Sequence, residues 1–262
     1  MTHSPLRIPT INPSSASSSI PTGATGYPEC TRTFQRLTQG KFIPQEDTIA
    51  VEADLTIQLG NQPEITLART PGDDLNLIMG HLFCNSLLET VEGVANIDFC
   101  HQAPSHATVS LDGSIPIHSL FKQRPPFRIH PQHLFELKNE FEHQQNLFKH
   151  TGSTHAAALF SITGHLLAFG EDVGRHNAFD KAIGRALIEG TLGQVGIAML
   201  SSRIARELAA KAVRANIPVL CGFSAATSSG VNCAEENNIT LVGRLRSNSF
   251  NIYANAWRIQ DD

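Results

Sequence analysis

The chain is predicted to be α/β, a small N-terminal α+β part followed by a larger α/β domain, and three observations predict it. Past residue 190, short apolar runs alternate with stripes at helical period: Val195–Leu200, then Ile204, Leu208, Ala212 and Val213, then residues 217–223, 231–236 and 239–242. Earlier, Val51, Ala53, Leu55, Ile57 and Leu59 alternate with mostly polar neighbours, the pattern of a half-buried strand. A length of 262 residues is enough for a sizeable core in one large domain, or in a large and a small one.

In chain order, residues 1–45 are expected to be a disordered tail. The opening run SPLRIPTINPSSASSSIPTG is rich in Ser, Pro and Thr and has no periodicity that could bury a face. It also has no apolar core of the kind a secretion signal needs. Residues 46–130 form the expected small domain. Its first strand turns at Gly60-Asn61 into residues 64–68, and Thr70-Pro71-Gly72-Asp73 starts a helix with Leu75, Ile78, Met79 and Leu82 as its buried stripe. A further strand is expected at 108–111, followed by an Asp112-Gly113 turn and a Pro-rich connection. Residues 131–262 form the larger domain, opened by a helix at 131–148 with Leu134, Leu137 and Phe141 facing inward.

The densest stretch is 151–190. It reads as a strand at 156–161, a Thr163-Gly164 turn, a strand at 166–169, then seven residues rich in ionisable and hydrogen-bonding groups, Glu171 to Asn177. A helix follows, with Asn177 as N-cap, Ala178, Phe179, Ala182, Ile183, Ala186 and Leu187 as its stripe, and Gly190 as its stop. Arg175 and His176 are thereby placed just before a helix N-terminus, where free N–H groups and a guanidinium suit an anion such as phosphate. The other reading is that Glu171, Asp172, Arg175 and Asp180 pair with each other and cap the helix. The alternation downstream argues for a mainly parallel sheet, whose strand-to-helix junctions gather at one edge where ligands bind. Two of them, Ser201-Ser202-Arg203 and residues 224–229, could join Arg175 and His176 around a polyanion; alternatively, Ser202 and Thr227 or Ser228 are helix caps.

A net charge of −4 predicts neither nucleic acid nor an anionic membrane as partner, and no apolar run approaches the ~20 residues of a membrane span. The five cysteines are odd in number and scattered, which favours free thiols and a cytoplasmic location. His81 with Cys84, and Cys100 with His101 and His106, have spacings a metal could use. Each set falls short of the four ligands of a closed zinc site, so no metal residue is assigned.

HAAALFSITG followed by EDVGRHNAFDKAIGR closely resembles the signature of the FdhD family, accessory proteins of formate dehydrogenase. SSRIARELAAKAVRANIPVL and SAATSSGVNCAEENNITLVG resemble the corresponding later stretches, and the likeness runs from about residue 49 to the end. The resemblance implies a cytidine-deaminase-like three-layer α/β domain, a homodimer, and sulfur transfer from a cysteine desulfurase to the molybdenum bis(molybdopterin guanine dinucleotide) cofactor of formate dehydrogenase. It implies a guanine-dinucleotide site at Arg244, Leu245, Arg246, Ser247, Asn248 and Ser249, joined by Arg175, His176, Ser202, Arg203 and Thr227, with GDP as a fragment ligand. It also implies a Cys-Gly-x-Cys-Gly loop before the helix at 131, whose first cysteine carries the persulfide. Residues 112–130 hold no cysteine, and Ser153 stands where the family often has Cys or Gly. No catalytic residue is therefore assigned, and the alternative to a sulfurtransferase is a cofactor carrier without the sulfur relay. His155 being followed by Ala156-Ala157 and the absence of any Cys-x-x-Cys argue against deamination.

Overall fold

The computed structural model describes residues 26–100, 105–112 and 126–260. In chain order these form β1 (Glu29–Thr38), β2 (Lys41–Ala50), β3 (Ala53–Leu59), β4 (Ile65–Arg69), α1 (Asp74–Cys84), β5 (Val94–Phe99), β6 (His106–Leu111), α2 (Pro131–Gln144) and α3 (Asn146–Thr151). Then come β7 (His155–Ser161), β8 (Leu166–Asp172), α4 (Arg175–Ile188), β9 (Val195–Leu200), α5 (Arg206–Arg214), β10 (Val219–Gly222), α6 (Ser228–Glu236), β11 (Thr240–Gly243) and β12 (Asn251–Ala254).

Two sheets and the helices between them share one core. The smaller sheet has the order β4-β3-β6-β5 and the larger β12-β11-β10-β9-β7-β8. Alternation along the strands decides which side each residue faces. Ala157, Leu159, Ala198, Leu200, Leu220 and Leu241 pack with α1, α4, α5 and the inner face of the smaller sheet, Leu55, Ile57 and Val109 included. Their neighbours Ala156, Ala158, Phe160, Ile197, Met199, Val219 and Val242 face the other way, onto Leu134, Leu137 and Phe141 of α2. The expected division at residue 130 thus separates two sheets in sequence but not two cores.

Helices α1 and α4 meet at backbone distance. A Cβ on Gly80 would lie 1.9 Å from the carbonyl oxygen of Asp180, and one on Gly184 would lie 1.9 Å from that of Asn76. Only glycine permits this approach, and it holds the smaller sheet against the larger one through a helix pair.

Several expectations change. The larger sheet is mixed: β9-β10 and β10-β11 are parallel, but β7 is antiparallel to β8 and β9, and β12 to β11. A tight turn at Gly164 (φ 88°) forces β8 back along β7, and no helix intervenes between β11 and β12 to carry the chain round for a parallel pairing. Residues 29–45 are not tail but most of a hairpin closed at Gln39-Gly40, both with positive φ. The half-buried strand begins at Ala53, and β5 was not foreseen. Helix α1 is entered through Asp73 in the left-handed region without a side-chain cap, so Thr70 is not the cap. The helix expected at 131–148 breaks at Gln145 into α2 and α3. Residues 1–25, and most of the connection in which the family's cysteine loop would fall, lie outside the described residues.

Candidate functional site

The polar run after β8 separates into two groups with different tasks. Asp172 is fully buried and is used completely. One of its oxygens accepts from the Gly174 N–H (2.8 Å) and Asn177 Nδ2 (3.1 Å), the other from the Thr70 N–H (3.1 Å) and Lys181 Nζ (2.7 Å). Lys181, 2% exposed, also donates to the Thr70 and Glu171 carbonyls. Asn177 reaches the Ala68 carbonyl, and the Val173 N–H donates to the Thr70 hydroxyl. Glu171 accepts the Leu147 and Phe148 N–H groups at the start of α3. Asp180 pairs with Lys211 and lies 3.5 Å from His81 Nδ1. These side chains join elements of the fold, but not by pairing with each other as the alternative reading expects: Asp172 pairs with Lys181, Asp180 with Lys211, and Glu171 holds the start of α3.

Arg175 and His176 differ. Helix α4 begins at Arg175, with Gly174 as N-cap, so both lie in its first turn rather than before it, and Asn177 is buried inside the helix. Arg175 makes no hydrogen bond or ion pair among the described residues. Its charge instead lowers the pKa of His155 and His176, after burial as the larger cause. His176 Nε2 lies 2.8 Å from the Glu207 carboxylate but lacks hydrogen-bond alignment, and that carboxylate offsets only part of the lowering. His155 Nδ1 is 3.2 Å from Ser201 Oγ, which also accepts the Ala156 N–H.

Sheet topology brings the predicted segments to one edge. His155 opens β7 opposite Asp172, where β8 ends, and the carboxyl ends of β9, β10 and β11 lie along the same border. Successive loops are stitched together: the Ile204 N–H to the Ala225 carbonyl, Phe223 to Leu200, Arg244 to Ser224. Arg246 Nη1 donates to the Phe223 and Leu245 carbonyls, and its own N–H to the Ser249 carbonyl. Arg203, Arg244, Arg246, Ser247, Asn248 and Ser249 are exposed, and Arg244 holds a left-handed backbone (φ 52°). Neither Arg203 nor Arg244 has a side-chain partner among the described residues. A cleft of about 470 Å³ lined by Ser153, Thr154, His155, Ser201 and Phe223 opens beside them.

Three predicted residues are engaged within the protein. Leu245 is fully buried in the core beneath α2. Ser202 is buried, its hydroxyl on the Arg203 carbonyl, and it caps no helix. Thr227 is the N-cap of α6, its hydroxyl accepting the Gly230 N–H. Conversely, His155 and Phe223 are not foreseen at this edge, whereas the Ser201-Ser202-Arg203 junction is; the signal for His155 is the start of β7 lying antiparallel beside the end of β9, which only the pairing reveals.

All five cysteines are free thiols. Burial pushes Cys221 up to about 12 and raises Cys233; burial and then Asp180 raise Cys84 well above its usual range. Cys100, after β5, is exposed. Among the described residues no three His, Cys, Asp or Glu side chains are grouped to hold a metal, and no helix is long and apolar enough to cross a membrane.

Residues 111–260 match the model of the FdhD/NarQ family. The chain is 34% identical over 236 residues to the sulfur carrier protein FdhD of Sulfurisphaera tokodaii, covering 82% of this chain and 92% of that one. It is 35% identical over 262 residues to the sulfur carrier protein FdhD of Streptomyces avermitilis, covering 86% and 93%. A crystal structure from Desulfotalea psychrophila, named as a formate dehydrogenase accessory protein, covers 88% of this chain and 99% of its own with a TM-score of 0.76. At 22% identity that likeness shows the fold.

Because His155 and His176 titrate below their ordinary 6.5, the unfolded chain binds more protons than the folded one in the window just under that value. Stability is therefore expected to fall as pH drops from 6.5 toward the depressed folded pKa values, and to level off below them. Urea denaturation between pH 7.5 and 5 checks this: the decline should become shallower in a His155→Gln/His176→Gln variant than in the parent.

Proposed function

We propose, from the premise that this chain belongs to the FdhD/NarQ family, that it is a cytoplasmic formate dehydrogenase accessory protein. In this reading it holds the molybdenum bis(molybdopterin guanine dinucleotide) cofactor as cargo on the carboxyl edge of its larger sheet. The observation that carries the proposal is the set of guanidinium groups on Arg175, Arg203 and Arg244, which lack hydrogen bonds and ion pairs among the described residues, whereas buried Arg69, Asp172, Asp180 and Lys181 are paired. Unpaired arginines at the ends of parallel strands suit a pyrophosphate, which each can bind with two parallel N–H donors. Arg175 adds the positive end of α4, a helix of 14 residues. Arg246 stiffens the 244–249 loop through its carbonyl contacts, and Arg244 supplies a planar cation on which a purine can stack. Neutral His155 and His176 add donors without enlarging the charge that the empty ligand state must tolerate.

The cargo supplies the metal chemistry of formate oxidation once it is installed; this chain's part is to bind, orient and release it to formate dehydrogenase, with sulfur delivered by a cysteine desulfurase. A second reading, a carrier that does not itself relay sulfur, is favoured by the thiols. A persulfide forms on a thiolate, and Cys84, Cys221 and Cys233 are all biased toward the protonated form. Residues 112–130 contain no cysteine to replace them.

Calorimetry with GDP tests the site. Saturable binding is expected, weakened roughly 10- to 100-fold by Arg175→Ala or Arg244→Ala, the worth of about one charged hydrogen-bond pair. No binding at millimolar GDP would overturn the proposal. Mass spectrometry after incubation with a cysteine desulfurase and cysteine separates the two readings. The carrier reading expects no added sulfur; a stoichiometric persulfide, for which exposed Cys100 is the best-placed thiol, would restore the relay.

A further inference from the structure

Among the described residues six charged side chains are buried, and five of them have a partner of opposite charge: Arg69 with Asp74, Lys138 with Glu142, Lys181 with Asp172, and Asp180 with Lys211. The sixth, Arg258, is 7% exposed and has no such partner there. Burial lowers its pKa, but a guanidinium cannot escape by losing its proton at neutral pH. An ion so placed is costly unless an anion reaches it.

The side chain is nevertheless held in place. Its Nη1 donates to the Thr240 hydroxyl (3.1 Å), which in turn donates to the Asn255 carbonyl (2.6 Å). The guanidinium lies over the Trp257 ring, 4.0 Å from its centroid, and the indole N–H donates to Asn238 Oδ1 (3.3 Å). Nε and Nη2, the side-on fork that fits a carboxylate, have no acceptor among the described residues.

Arg258 lines a cavity of about 220 Å³ at the amino ends of β10 and β11, the border opposite the proposed cofactor edge. At about 30 Å³ per water, that is room for about seven waters, or for a carboxylic acid of about four or five carbons. Val213, Ile217, Pro218 and Ile239 form its apolar wall. The Asn216 side chain and Asn238 Nδ2 lack acceptors among the described residues and are its other donors. Helices α5 and α6 end here, so their negative dipole ends disfavour a dianion. Their last carbonyls do not satisfy Arg258: that of Ala212 accepts the Ile217 N–H, and that of Ala234 the Ile239 N–H.

We infer that this cavity binds a short-chain aliphatic monocarboxylate, its carboxylate on the Arg258 fork and its methylenes against the apolar wall. A ligand from solution is favoured over the chain's own Asp261 and Asp262, because the chain leaves the cavity after Arg258. Ile259 bridges to Ile129 and packs on the α2 side of the sheet, and the Gln260 N–H donates to the Ile129 carbonyl (3.1 Å).

Trp257 is the only tryptophan in the chain, so its fluorescence reports on this site. The full chain is titrated with butyrate, acetate, phosphate and uncharged butyramide at constant ionic strength, and saturation-transfer NMR on the butyrate methyl gives a second readout. Saturable butyrate binding is expected, with a dissociation constant of about 1–10 mM. Acetate should bind severalfold more weakly, since each methylene buried is worth about fourfold. Arg258→Gln is expected to weaken butyrate at least about tenfold. Arg258→Lys, which keeps the charge but not the fork, should also weaken it, and serves where Arg258→Gln does not fold. No saturable butyrate binding by either readout would overturn the inference. So would phosphate or butyramide binding as well as butyrate, or full affinity in either folded Arg258 variant. Binding that appears only in an Asp261→Asn/Asp262→Asn variant would make the chain's own end the occupant and overturn it too.

Discussion

A carboxylate with no exposed surface, Asp172, and an ammonium with almost none, Lys181, lie 2.7 Å apart where the β4-α1 loop meets the turn from β8 into α4. Both are costly to bury, and their mutual attraction alone does not guarantee a net gain. Here the remaining hydrogen-bonding capacity is directed mostly at backbone: Asp172 takes the N–H groups of Thr70 and Gly174 together with the Asn177 side-chain amide, and Lys181 the carbonyls of Thr70 and Glu171. The pair therefore acts as a fastener between segments 102 residues apart in sequence. Removing one partner would leave the other charged and buried, a loss of about 3–5 kcal/mol. The glycine contacts between α1 and α4 work in the same place: once the loop is pinned, Gly80 and Gly184 let the two helices close to backbone contact.

That fastener positions the edge where binding is proposed. Gly174 is held by Asp172, so the first turn of α4 has a fixed start, and Arg175 and His176 project from a helix anchored at its base. The same run of residues thus contributes inward-facing groups that hold the fold and outward-facing groups free for a ligand. Along the edge the loops after β9, β10 and β11 are joined backbone to backbone, so the arginines of separate loops belong to one surface rather than to independent flexible segments.

Much of this was legible in the residues, and the failures have physical reasons. Val195–Leu200 was found at its observed bounds because a fully buried strand is a continuous apolar run. The expected start of α4 lies three residues late because Asn177 is a common N-cap, and its burial as a bridge between Asp172 and the Ala68 carbonyl depends on a contact 109 residues away. The hairpin was mistaken for tail because its exposed strands have no buried face to impose alternation. Leu245 was swept into the site by its arginine neighbours, whereas the chain turns it into the core. The antiparallel placement of β7, which brings His155 and Ser201 together, follows from the Gly164 turn and could not be read from alternation of strands and helices.

The central claim is that one edge of the larger sheet is the binding surface and that the buried pair beneath it is structural. Amide hydrogen exchange with and without saturating GDP addresses it most directly. The account predicts slowed exchange in residues 174–178, 201–204, 223–227 and 244–249, with no change at the α1 start or in the β1-β2 hairpin. Protection centred on the separate cleft lined by Pro28, Gly72, Asn146 and Arg185, with none at the four loops, would contradict it.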